Sequence, residues 1–88
     1  MNYTKGEWKA NSTAIDCDGW PIAQTYPDTR LDSITSLKLM RANAHLIAAA
    51  PMMYEALKAL EKWYHSKAGE LPYYARQALA KAEGKETQ

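Results

Sequence analysis

The sequence predicts an α+β fold: a three-stranded antiparallel β-meander packed on an α-helical hairpin, with a short third helix. Three observations predict it. Asp18-Gly19 is a two-residue hairpin-turn signal between short stretches that alternate apolar and polar residues. Residues 34–66 carry Leu, Ala, Ile and Met at helical spacing, broken at Pro51. Ala68-Gly69 then ends that pattern, and Leu71-Pro72 opens another over 72–83. The 88 residues are expected to form a single domain, near the lower end of chains that fold without staples.

Strand signals cover residues 3–26. Reading outward from Asp18-Gly19 pairs Cys17 with Trp20 and Ile15 with Ile22. A second turn at Asn11-Ser12 would set Trp8 beside Ile15, giving a row of Trp8, Ile15 and Ile22 across three strands. Ala10, Thr13, Cys17, Trp20 and Tyr26 share that apolar face, while Lys5, Glu7, Lys9 and Asp16 share the polar one. Pro21 lacks an N–H, which makes the third strand an edge.

Residues 27–35 read as a loop, with Asp32, Ser33 and Ser36 as candidate N-caps. The first helix is expected from Ile34 to Ala49. It carries apolar residues on two sides: Leu37, Met40, Ala44 and Ile47, then Leu39, Ala42, Leu46 and Ala50. The second is expected from Pro51, which a first turn tolerates, to Ser66. Met53, Ala56, Leu57, Leu60 and Tyr64 form its inward stripe, and Met52 and Met53 fill the corner at Pro51. In the third helix Tyr74, Ala75, Ala78, Leu79 and Ala82 are expected to face inward, and 84–88 to fray.

Composition excludes several function classes. Eleven Lys plus Arg against ten Asp plus Glu suits neither an acidic DNA mimic nor a non-specific nucleic-acid binder. Cys17 is the single cysteine, which fits a reducing cytoplasm. The start, MNYTKGEWKANST, lacks a signal peptide's apolar core, and LIAAAPMMY is far short of the ~20 residues that span a bilayer. No membrane association is expected.

Catalytic and metal-binding groups are sparse. His45 and His65 have no neighbours at ligand spacing. Cys17 reads as a small core residue rather than a nucleophile. The four glycines are isolated, so no phosphate loop exists. The chain is therefore expected to be no enzyme, with no catalytic, cofactor-binding or metal-binding residue. Its aromatics are all Trp and Tyr, which suit positions with one apolar and one wet end, as at interfaces. The candidate interaction residues are Trp20, Tyr26, Asp28, Arg30, Trp63, Tyr64, Tyr73, Tyr74 and Arg76.

The order of features resembles a known group. Gly6-Glu7-Trp8 precedes the Asp18–Ala23 hairpin segment, then Ala-Asn-Ala-His-Leu-Ile-Ala-Ala-Ala-Pro (42–51) leads into a Leu/Ala-rich helix and an Ala-Lys-Ala-Glu-Gly end (80–84). This resembles small bacteriophage and prophage proteins, and residues 4–61 are similar to the amino-terminal part of Ead-like early-region proteins of lambdoid phages. Many members have Thr-Pro-Gly-Pro-Trp where this chain has Thr4-Lys5-Gly6-Glu7-Trp8, so both prolines are missing. The resemblance implies a phage accessory protein in the host bacterial cytoplasm and supplies no catalytic residue.

The expected function is binding to a host or defence-system protein, with inhibition of a system such as CRISPR interference as one form. A homo-oligomer is also expected. Nucleic acid is the weaker candidate partner, through Lys38, Arg41, Lys58, Lys62 and Arg76. A small-ligand or nucleotide sponge, with a pocket lined by Trp20 and Tyr26, is the third alternative.

Overall fold

A computed structural model describes residues 2–67 and 69–85. The elements in chain order are β1 (Trp8–Asn11), β2 (Ala14–Cys17), β3 (Trp20–Gln24), α1 (Ser33–Ala48), α2 (Ala50–Lys67) and α3 (Tyr73–Ala82). The strands form one antiparallel sheet in the order β1-β2-β3. The fold is α+β, as the turn signals and periodicities predict. The expected helix stop at Ala68 and the fraying of 86–88 lie outside the described residues.

Residues form two compact units, 2–50 and 51–85 among those described. In the first, α1 lies against β1 and β2. The Asp18-Gly19 turn holds as read, with φ of 52° and 80°, and Cys17 faces Trp20 across it. Positive φ at both central residues matches the right-handed twist of the paired strands.

Two registers differ from the expected ones. The first turn falls on Ser12-Thr13, because Asn11 pairs with Ala14, so Trp8 faces Cys17 and Ala10 faces Ile15. The carbonyl of Thr13 explains the shift. It accepts from Thr25 N at 3.0 Å, from Thr25 Oγ1 at 2.6 Å and from the Gln24 amide at 3.3 Å. Asn11 stays in the strand, its amide donating to Asp16 Oδ2 at 3.0 Å. Moving the turn by one residue moves the pairing by two, so Trp8 keeps its face. The second difference is a bulge: Asp16 faces Pro21 but Ile15 faces Ala23, leaving Ile22 extra. The expected row of Trp8, Ile15 and Ile22 therefore does not form. Pro21 does sit on an edge strand.

The first unit buries Ile15, Cys17, Thr25, Ser36 and Ala44. Ser36, Ala44 and the half-buried Met40 and Ala48 recur at four-residue steps, which marks the covered side of α1. Leu39 and Leu46, on the other apolar side, are exposed. The N-cap of α1 is Asp32, whose carboxylate accepts from Thr35 N at 2.8 Å and from the Thr35 hydroxyl at 2.7 Å. Those bonds hold the Asp32 carboxyl below its usual pKa. Ser36 is no cap; its buried hydroxyl accepts from Asp28 N at 2.9 Å and ties the loop to the helix.

In the second unit the expected inward stripe of α2 holds only at Leu57 and Tyr64, which are half-buried. Met53, Ala56 and Leu60 are exposed, and no residue of α2 is buried. Met52 is 79% exposed, so neither methionine fills a corner. The half-covered side is instead Tyr54, Leu57, Lys58, Glu61 and Tyr64. Polar bonds set this rotation. The Tyr54 hydroxyl donates to Glu83 Oε2 at 2.6 Å, and Lys58 Nζ lies 3.6 Å from the same oxygen. In α3, Leu79 is buried and Ala75 half-buried, whereas Tyr74, Ala78 and Ala82 are exposed, against expectation. The covered side of α3 runs Ala75–Leu79–Glu83, and Tyr74 falls off it.

Candidate interaction surface

The edge strand β3 begins at Trp20, and Tyr26 follows two residues after its last, Gln24. Trp20 is 75% exposed and Tyr26 82%. Both were expected on the apolar face. Trp20 does sit opposite Cys17, but at the end of the sheet, past the strands that α1 covers. At these exposures neither ring lines an enclosed pocket, so the pocket expected for a nucleotide sponge is absent there.

The loop beyond Tyr26 is firmly built. Asp28 accepts from Arg30 N at 3.1 Å, from Arg30 Nε at 2.9 Å and from an Arg30 terminal nitrogen at 2.7 Å. This two-pronged pairing is the stronger geometry for Arg and carboxylate, and it holds the Asp28 carboxyl below its usual range. Leu31 N donates back to Asp28 O at 3.1 Å. Asp28 is therefore mostly a loop-former, while the Arg30 side chain stays 86% exposed beside it.

At the opposite end of the meander, the Cys17 thiol donates to Lys5 O at 3.3 Å. Burial, then the neighbouring Asp18 charge, raises its pKa. Such a thiol is a poor nucleophile. The indole of Trp8 donates to Thr4 O at 2.8 Å, and the Tyr3 ring meets Trp8 edge-on at 6.1 Å. Lys5 Nζ sits 3.8 Å from the Tyr3 ring centre.

The remaining candidates belong to the second unit. Trp63 is 54% exposed and meets the half-buried Tyr64 edge-on at 5.2 Å. Tyr73 and Tyr74 are both largely exposed at the start of α3. Arg76 does not project freely. Its Nε donates to Leu71 O at 3.1 Å, a terminal nitrogen lies 3.8 Å from Glu70, and the guanidinium stands 5.8 Å from the Tyr73 ring centre. An open groove of about 910 Å³ runs beside it, lined by residues of α2 and of 69–76, among them Lys58, Lys62, His65, Glu70 and Leu71. Lys58 is 3.1 Å from Glu61, so cations and anions alternate around the groove.

Sequence reasoning missed Glu83, a strongly held charge of the second unit. Tyr54 and then Lys85 bond its carboxylate and hold its pKa down at about 2, despite an opposing contribution from burial. Lys85 Nζ is 3.3 Å away. A lone Glu near a helix end gives no sequence signal for this, since its partners lie 29 residues back and two ahead. The bonding roles of Thr13, Thr25 and Ser36 were missed for the same reason, since their partners lie eight to twelve residues away.

Among the described residues, no group of three or more His, Cys, Asp or Glu could hold a metal ion. No helix among them is long and apolar enough to cross a membrane. The chain matches no curated protein and no solved structure. A family model described as Salmonella phage P22 protein Y8K6 matches residues 1–86, nearly the whole chain, and the protein is a member of that phage family.

Proposed function

We propose that the protein is a non-enzymatic phage accessory factor that acts in the host cytoplasm by binding another protein. The observation that carries this reading is the exposure of the aromatic rings at the two ends of the edge strand β3, Trp20 and Tyr26, each at least three-quarters exposed and the second beside a braced loop. Large rigid rings held in water by a fixed backbone lose little entropy on binding, which is why interfaces are rich in them. Arg30, charged and exposed on the loop that follows Tyr26, gives that end of the strand a polar rim. Membership of a phage family supports a target in the host. A component of a defence system such as CRISPR interference is the target class this reading favours.

The test has two arms. A tagged copy purified from infected cells should retain one host protein in stoichiometric amount, and Trp20→Ala with Tyr26→Ala should release it while leaving far-UV circular dichroism unchanged. Phage plating on strains with and without individual defence systems should then identify the pathway affected. Recovery of no host protein, or retention of the partner by the double variant, would overturn the reading. The nucleic-acid alternative is weakened by the ties of Lys58 to Glu61 and Glu83 and of Arg76 to Glu70. Binding of a labelled oligonucleotide that falls steeply with salt would revive it.

A further inference from the structure

The amphipathicity of α2 is reversed relative to an ordinary surface helix. Met52, Met53, Ala56, Ala59, Leu60 and Trp63 follow one another at one- and three-residue steps that keep them on a single side, and all six are exposed. Of the other side, the residues half-covered in the unit include charged Lys58 and Glu61. A helix normally turns its apolar stripe inward. Here the polar bonds of Tyr54 and Lys58 to Glu83 fix the opposite rotation and leave the apolar stripe in water.

We infer that this stripe pairs with the same stripe of a second copy of the chain, the two α2 helices running antiparallel about a two-fold axis. Size and charge both select that occupant. A two-fold axis near residue 58 sets Met53 against the partner's Trp63, and Ala56 against the partner's Leu60. Each large side chain then meets a smaller one, twice by symmetry. Glu55 and Lys62 border the stripe on one side, that of Ala59, and stand seven residues apart. In an antiparallel pair like flanks face each other, so Glu55 lies opposite the partner's Lys62 and the converse holds. A parallel arrangement would set Met53 against the partner's Met53 and turn Glu55 towards the partner's other flank, away from its Lys62, losing both matches. The stripe carries no charge from Met52 to Trp63, which suits an apolar seam and not a phosphate backbone. This inference does not depend on Trp20 or Tyr26, which lie in the other unit.

Sedimentation equilibrium of the full chain tests it. The wild type should be dimeric at micromolar concentration. Leu60→Glu should give a monomer with an unchanged far-UV spectrum. Glu55→Lys and Lys62→Glu should each weaken the dimer roughly tenfold, since two pairs become repulsive. Combined in one chain, the two reversals should restore wild-type affinity. A monomeric wild type, a dimer indifferent to Leu60→Glu, or a double reversal no tighter than either single one would overturn the proposal. A monomer that Leu60→Glu also destabilises would show the stripe to be covered by the chain itself, and overturns it equally.

Discussion

Gly6 adopts φ of +128°, and a Cβ there would come within 2.7 Å of both Cys17 Sγ and Asp18 Oδ2. Two penalties coincide, a backbone region that side chains avoid and an approach closer than any real contact. Gly19 provides the internal comparison: its φ is +80°, but nothing stands within 4 Å of an added Cβ. Gly6→Ala is expected to lower stability by about 1–3 kcal/mol, and Gly19→Ala by less. Urea denaturation of the two variants side by side checks the order. An equal or reversed order would mean that crowding against Cys17 and Asp18 is relieved cheaply. The Gly-x-Trp segment therefore fits against the end of β2 through the glycine itself, while Trp8 anchors it by the bond to Thr4.

At the scale of elements, the end of α3 is held to α2 by one carboxylate. Glu83 takes a hydrogen bond from Tyr54 and lies within 4 Å of both Lys58 and Lys85. Its folded pKa of about 2 is below the ordinary 4.5. A depressed carboxyl pKa stabilises the fold above the unfolded value, and that contribution disappears as pH falls from about 4.5 towards about 2. Glu83→Gln should therefore flatten the acid limb of a plot of urea midpoint against pH, with the two proteins converging near pH 2. Parallel curves for wild type and variant over that span would show the carboxylate to be unlinked to folding.

The same scale explains what the sequence could reveal. Local chemistry was legible: the Asp18-Gly19 turn, the Asp32 cap, Pro21 on an edge and Pro51 in a first turn all follow from one or two residues. The rotation of α2 and α3 was not, because an apolar stripe predicts burial only when apolar contacts decide it. Here Tyr54, Lys58 and Glu83 decide it through bonds that no spacing announces. The meander's register failed for a similar reason. Thr13 and Thr25 meet across eleven intervening residues, and their bonds shift the turn by one. Of the candidate surface, Trp20, Tyr26, Tyr73 and Tyr74 stand in water, whereas Asp28 and Arg76 are engaged with neighbours. Whether a polar side chain is free depends on partners that only folding assembles.

Across the whole molecule, the two units differ in how much they bury. Residues 2–50 enclose Ile15 completely and bury Cys17, Thr25, Ser36 and Ala44 with it, while 51–85 bury Leu71 and Leu79. No buried side-chain nitrogen or oxygen among the described residues lacks a hydrogen-bond partner, so the first core is polar in part but fully satisfied. Amide exchange should follow that division, slowest in β2 and the middle of α1 and faster along α2 and α3. Slower exchange in α2 than in β2 at low protein concentration would contradict it. If α2 protection instead rises with concentration, the second copy supplies it by mass action.

Cys17 gives the first unit a built-in clock. It is the chain's single thiol, closed in under Lys5 and bonded to its carbonyl. A reagent that consumes thiolate can reach it only when the Lys5–Gly6 segment lifts or the sheet opens. The speed of labelling therefore counts those openings, and it does so without a tag or a knowledge of what the protein binds. A partner seated on Trp20 or Tyr26 would slow that clock if it steadies the hairpin, and leave it running if it merely covers the rings.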